Sequence, residues 1–145
     1  MSTPSLPFYR IAYVSSASEE LSLDDFRKIE EISVRNNRMQ EIYGVLVTDG
    51  RRIIQVLEGQ RNSIEQLMEK IYNDPRHHSV KIFAEDTTEE ISFKQWFMNV
   101  IDVKNRPANM QTTFEAMFDV FANAPIKLKL DAQRLEFFRN IATWS

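Results

Sequence analysis

The sequence predicts an α+β fold, a sheet covered by helices, and three features carry that prediction. Segments rich in β-branched and aromatic residues alternate with segments of helical periodicity in the order β-α-β-β-α-β. An Asp49-Gly50 dipeptide stands between two apolar runs, the mark of a β-hairpin. Beyond Arg106-Pro107 the chain carries two further helical patterns.

The first strand is read over Phe8 to Ser15 (F-Y-R-I-A-Y-V-S), which follows Pro7. Strand alternation puts Tyr9, Ile11 and Tyr13 on one face, with Phe8, Arg10, Ala12 and Val14 on the other. A helix then starts at Ser22, a capping residue with Asp25 at the third helical position, and Leu21 can staple onto Phe26. Phe26, Ile29 and Ile32 continue an apolar stripe toward Asn36-Asn37, where the helix is expected to end. Ile42 to Thr48 and Arg51 to Leu57 form the hairpin strands. From Ser63, the residues Ile64, Leu67, Met68 and Ile71 keep helical spacing until Asn73-Asp74-Pro75. A fourth strand is expected at Val80 to Ala84 and a fifth at Trp96 to Val103, with an acidic loop (E-D-T-T-E-E) after the fourth. Met110, Phe114, Met117, Phe118 and Phe121 mark one C-terminal helix; Leu128, Leu135, Phe138 and Ile141 mark another, with Pro125 between them.

Right-handed crossovers in the two strand–helix–strand units place both helices on one face of the sheet. The prediction is therefore a ferredoxin-like arrangement with an added fifth strand. Residues 1–104 are expected to form this unit and 105–145 a helical extension.

Composition narrows the function. At 145 residues with 43% hydrophobic and 27% charged content, the chain is a globular domain of ordinary size. A net charge of −3 with dispersed basic residues argues against nucleic acid, which needs a basic face. The absence of cysteine removes disulfides, thiolate nucleophiles and cysteine-based metal sites. The start M-S-T-P-S-L-P has neither the charge nor the apolar run of a signal peptide, and no run approaches the ~18–20 residues of a membrane span. A soluble, cytoplasmic protein is expected.

Catalytic signatures are weak. His77 and His78 are adjacent, with no third metal ligand in view. The three glycines are dispersed and form no phosphate loop. No nucleophile motif is present. An enzyme is not expected. A glutamine, Gln55, sits instead inside the apolar run R-R-I-I-Q-V-L-E-G, where an unpaired amide costs about 1–3 kcal/mol. Either it faces water or something polar inside uses both its donor and its acceptor. Tyr13 on the first strand and Asn36 and Asn37 on the first helix belong to elements that should face it. Each alone reads as packing or helix termination. Together they form a neutral hydrogen-bonding set suited to a flat, amide-rich ligand.

Across residues 8–103 the sequence resembles the BLUF domains, blue-light sensors that use flavin. The resemblance rests on R-I-A-Y-V-S at 10–15, N-N at 36–37, I-Y-G-V-L at 42–46, I-I-Q-V-L-E-G at 53–59, D-P-R-H at 74–77 and F-K-Q-W-F-M at 93–98. It implies a ferredoxin-like fold holding flavin between the two helices: FAD by family expectation, with FMN or riboflavin able to fit. Tyr13, Gln55 and Asn37 match the family's strand-one tyrosine, its flavin-contacting glutamine and its ring-side asparagine. Asn36 matches a second ring contact, and Lys70, Asp74, Arg76 and His77 fall on or near the ribityl and phosphate region. Trp96 and Met98 match the fifth-strand residues that relay the signal.

The mechanism so implied has light drive electron and proton transfer from Tyr13 to the flavin. Gln55 then rearranges its hydrogen bonds, and Met98 or Trp96 senses the change. Four positions depart from the pattern: Tyr43 for threonine, Ile53 for an aromatic, Ile91 for an arginine, and Phe97 at a site more often small or polar. Added bulk in a packed site costs ~1–3 kcal/mol unless neighbours adjust, so Tyr43 and Phe97 bear on flavin affinity and photocycle rate.

The expected function is that of a blue-light photoreceptor signalling through its C-terminal helices to a downstream protein partner. A flavin-independent interaction module on the same fold is the alternative. A small hydrolase of the acylphosphatase kind lacks the arginine it would need in S-S-A-S-E-E at 15–20. Phe114, Phe118, Phe121, Phe137, Phe138 and Trp144 suggest apolar surface for a homo-oligomer.

Overall fold

The computed structural model describes residues 7–143. Its elements are β1 (Phe8–Ala17), α1 (Leu23–Gln40), β2 (Tyr43–Thr48), β3 (Arg52–Gly59), α2 (Arg61–Tyr72), β4 (His77–Thr88), β5 (Asn99–Asp102), α3 (Ala108–Ala122) and α4 (Ala132–Ala142). The five strands form one sheet in the order β4-β1-β3-β2-β5. Strands β1 to β4 pair antiparallel, and β5 joins β2 in parallel. This is the predicted ferredoxin-like sheet with a fifth strand.

Local chemistry fixes the connections. Ser22 caps α1 in a full capping box with Asp25, as its spacing predicts. In the hairpin turn, Asp49 accepts from the N–H groups of Arg51 and Arg52, and Gly50 has φ 96°, a conformation natural to glycine.

Each face of the sheet carries its own core. Ile11, Tyr13, Leu46, Ile53 and Leu57 pack with Ile64 and Met68 of α2 and with Ile29 and Val34 of α1. On the opposite face Ala12, Val14, Val45, Val47, Ile54 and Val56 pack with Phe114 and Phe121 of α3 and Phe138 and Ile141 of α4. Phe83 and Phe121 stack with centroids 4.0 Å apart.

Five expectations are corrected. Helix α1 does not stop at Asn36-Asn37; it runs to Gln40, and Glu41 takes the left-handed turn at φ 53°. Strand β4 runs on to Thr88, through the first four residues of the stretch expected to be an acidic loop, because the charges of Glu85 and Asp86 are neutralised there. Asp86 is held by Arg10, and Glu85 accepts from Lys127 and from Tyr9 Oη. Strand β5 begins only at Asn99, because Trp96 N–H turns back onto Phe93 O and Phe97 O is taken by Asn37 of α1, which leaves the Gly44 N–H bond to Trp96 O as an isolated contact with β2 ahead of the ladder. Leu128 lies before α4, bridging Ala84 on the outer edge of β4. The C-terminal aromatics are not an exposed surface: Phe114, Phe121 and Phe138 are buried, and Phe118 and Phe137 are partly buried against them. Trp144 lies outside the described residues.

Candidate functional site

Between α1, α2 and the sheet lies a cavity of about 250 Å³. Its lining includes Tyr13, Asn36, Asn37, Gln55, Lys70, Asp74, Arg76, His77 and Met98. Of the residues expected at the site, Trp96 is the exception. It packs against the opposite core, while Met98 is buried on the cavity side, and both precede β5 rather than belong to it.

Strand register sets the polar floor. Tyr13 lies directly opposite Gln55 across the β1–β3 ladder, and both side chains point to the α1/α2 face. The Tyr13 hydroxyl donates to Gln55 Oε1, and Gln55 Nε2 donates to Met98 Sδ at 3.5 Å. Both ends of the buried amide are thus employed, which accounts for a glutamine inside an apolar strand. A β-bulge between Ala12 and Tyr13 in the β1–β4 pairing adds local twist beside this pair.

Helix α1 supplies the facing wall. Asn37 is buried, and its Nδ2 donates to Phe97 O at 2.7 Å, which fixes the residue before Met98. Ile29, Ile32, Leu67, Ile71, Leu46 and Ile53 make the apolar sides. The departures Tyr43 and Phe97 accommodate one another: their rings stack at 5.3 Å and 23°. Ile53 is buried in the cavity wall.

The end of α2 and the turn after it bring the charges. Arg76 binds Asp74 through Nε at 3.0 Å and through Nη2 at 2.6 Å, and this pairing holds the Asp74 carboxyl below the usual carboxylate range. His77 lies 2.9 Å from Ser15 Oγ through Nδ1 and 2.7 Å from Ile71 O through Nε2, tying α2 to β1. Burial, with the charge of Asp74 adding, pushes the Tyr13 hydroxyl far above the ordinary tyrosine range, so it holds its proton.

Sequence reasoning missed Leu21, Ile29, Ser33, Leu46, Leu67 and Ile71 as lining residues. The spacing of Ile29, Ser33 and Asn37 on one helix face was the available signal. It also missed Glu30, whose Oε2 accepts from Val100 N at 2.8 Å. Among the described residues no group of three His, Asp or Glu could hold a metal, and no helix is long and apolar enough to cross a membrane.

The chemistry of the donor set fits a flavin. Apolar walls suit the faces of a flat ring, amides suit its polar edge, and Lys70 and Arg76 suit a phosphate tail.

A family model described as BLUF, sensors of blue-light using FAD, matches residues 8–99. The blue light- and temperature-regulated antirepressor BluF of Escherichia coli (strain K12) is 28% identical over 116 residues, 78% of this chain and 28% of that protein. A photoactivated adenylate cyclase subunit beta-like protein FB of Euglena gracilis is 26% identical over 113 residues, 77% of this chain and 13% of its own length. The chain thus spans less than a third of these curated relatives. Among solved structures, BlsA in its photo-activated state is 30% identical with a TM-score of 0.70, covering 93% of this chain and 94% of that one. BlrB, a BLUF protein in its dark state, shares the fold with a TM-score of 0.73 at 22% identity, covering 98% and 100%. With its sheet, its cavity and its matching residues, this chain belongs to the BLUF family of flavin-using blue-light sensors.

Proposed function

We propose that the chain binds FAD in the α1/α2 cavity and signals through Gln55 and Met98, with residues 1–104 as the sensing unit and 105–145 as its extension. One observation carries the reading: a single buried amide accepts from Tyr13 and donates to Met98 in the wall of that cavity. Bound flavin supplies blue-light absorption and, once excited, an electron acceptor.

The protein's part is done by three side chains. Tyr13 is the buried donor, neutral in the dark, with its proton directed at Gln55 Oε1. Rotation of the Gln55 amide would exchange its two ends, after which Met98 Sδ loses its N–H partner; tautomerisation would instead move a proton from Nε2 to Oε1 and turn the acceptor facing Tyr13 into a donor. Asn37 holds the adjoining backbone at Phe97, so the lost contact falls on Met98 itself. Asn36 at the cavity mouth and Lys70, Asp74, Arg76 and His77 at the end of α2 are assigned to the cofactor's ring edge and its tail. The ring supplies the photochemistry, so FMN or riboflavin would serve in place of FAD. The chain would act as a homo-oligomer, pass its signal to a downstream protein partner and catalyse no reaction of its own.

The test is colour. Purified protein should be yellow, chromatography of the released flavin should give FAD, and blue light should shift the flavin band to the red reversibly. Protein that takes up no flavin even on reconstitution would make the flavin-independent interaction module the better account.

A further inference from the structure

On the face of the sheet away from the cavity lies a buried charge cluster that the photochemistry does not use. Arg10 and Glu58 are opposite each other in the same β1–β3 ladder as Tyr13 and Gln55, three residues along each strand. An odd offset turns them to the other face. Glu58 is fully buried. A carboxylate so placed is retained only with strong compensation.

That compensation comes from one turn and one arginine. Glu58 Oε1 accepts from Ser92 N at 2.9 Å and from Phe93 N at 2.8 Å. Arg10 Nη1 lies 3.7 Å from Glu58 Oε2 and donates to Ser92 Oγ at 3.0 Å. The same guanidinium grips Asp86 through Nε and Nη2, both at 2.9 Å, and donates to Leu130 O at 3.3 Å. Asp86 Oδ2 in turn accepts from Leu130 N at 3.2 Å. Leu130 belongs to the linker between α3 and α4, which runs along the outer edge of β4 through the Leu128 bridge and the Lys127–Glu85 pair.

The turn that Glu58 holds leads straight to the cavity. Phe93 O accepts from Trp96 N at 3.0 Å, Trp96 O accepts from Gly44 N at 3.2 Å, and two residues later Met98 receives the Gln55 amide. Phe93 also meets Phe138 of α4 edge to face at 6.3 Å.

We propose that Glu58 is a positioning residue for the photoreaction, holding from behind the sheet the turn that carries Met98, and that Arg10 joins this turn to the α3–α4 linker. This rests on the reading of Gln55 and Met98 above. Movement of Met98 then strains the Ser92–Phe93 anchor, and the shared guanidinium transmits it to Leu130. Mutation separates the two arms of this network.

The experiment uses the full flavin-loaded chain, with dark-recovery kinetics and hydrogen exchange of residues 127–131 in dark and light. Wild type should show the red shift together with a light-dependent exchange difference in the linker. Glu58→Gln should remain yellow and shift red, change its recovery rate by roughly fivefold, the equivalent of one lost hydrogen bond, and lose the linker difference. Should Glu58→Gln not fold, Glu58→Asp, which keeps the charge one methylene shorter, carries the same expectation. Asp86→Asn should keep wild-type recovery and lose the linker difference alone.

A Glu58 variant with a lowered Tm, wild-type recovery and an intact linker difference would overturn the positioning role. An Asp86→Asn protein with a wild-type linker difference would overturn the Arg10 arm. A red shift in wild type without any linker difference would overturn the coupling while leaving the photoreceptor reading intact. No red shift in wild type would overturn the photoreceptor reading itself.

Discussion

Tyr13 and Gln55 stand directly opposite each other across the β1–β3 ladder, and the Tyr13 hydroxyl donates to the Gln55 carbonyl inside a buried cavity wall. Register alone makes that contact, because cross-strand partners on one face bring their side chains together without help from a loop. The geometry leaves the other end of Gln55 on Met98, so a change at the tyrosine is felt by a residue that belongs to neither strand.

Met98 is the first point of test. Its side chain is buried, and truncation to alanine should cost about 2–5 kcal/mol by loss of packing. Met98→Ala should nevertheless keep most of the flavin red shift while blunting any light-dependent change in assembly, measured by light scattering in dark and light. A stable variant whose assembly response equals wild type would remove Met98 from the signal path.

Tyr43 and Phe97 give a second. Their stacked rings convert two bulky departures into one contact. A double-mutant cycle of Tyr43→Thr and Phe97→Ala should return a coupling of about 0.5–1.5 kcal/mol in denaturant unfolding. Strict additivity would show that the two rings are merely adjacent.

Alkaline stability tests the burial of Tyr13. Its ionisation is raised in the folded protein, chiefly by burial, whereas an unfolded tyrosine ionises near pH ~10. The unfolded chain therefore loses that proton first. The stability contributed by neutral Tyr13 is fully present below that pH and is lost as the pH climbs above it. Thermal melts from pH 8 to 11 should show a steeper fall for wild type than for Tyr13→Phe. Tyr9, also raised by burial and by its bond to Glu85, should leave a residual slope in the variant. Equal slopes would mean that Tyr13 is not the buried hydroxyl described here.

Much of this was legible in the sequence. Alternation placed Tyr13 on the cavity face, the Asp-Gly turn set the hairpin, and the intrusion of Gln55 into an apolar strand pointed to a polar site. The length of β4 was not legible, because the charges of Glu85 and Asp86 are neutralised by residues as distant as Lys127 and Arg10. Nor was the division of Met98 from Trp96 between opposite faces, since it depends on the turn closed by Trp96 N–H on Phe93 O and on the Asn37 bond to Phe97 O, which delay β5 to Asn99. The aromatics of α3 and α4 looked like surplus surface because no local pattern shows that a whole sheet face must be covered.

The most direct test of the central claim is the light-minus-dark flavin spectrum of Gln55→Leu beside wild type. Leucine matches glutamine in size but offers no donor or acceptor, so Tyr13 and Met98 both lose their partner. The cost should be about 1–3 kcal/mol, mostly from the tyrosine hydroxyl left unpaired, and the protein should still fold and bind flavin. The account predicts a yellow Gln55→Leu protein with no reversible red shift, against a full shift in wild type. A Gln55→Leu protein that binds flavin and shifts as far as wild type would contradict it.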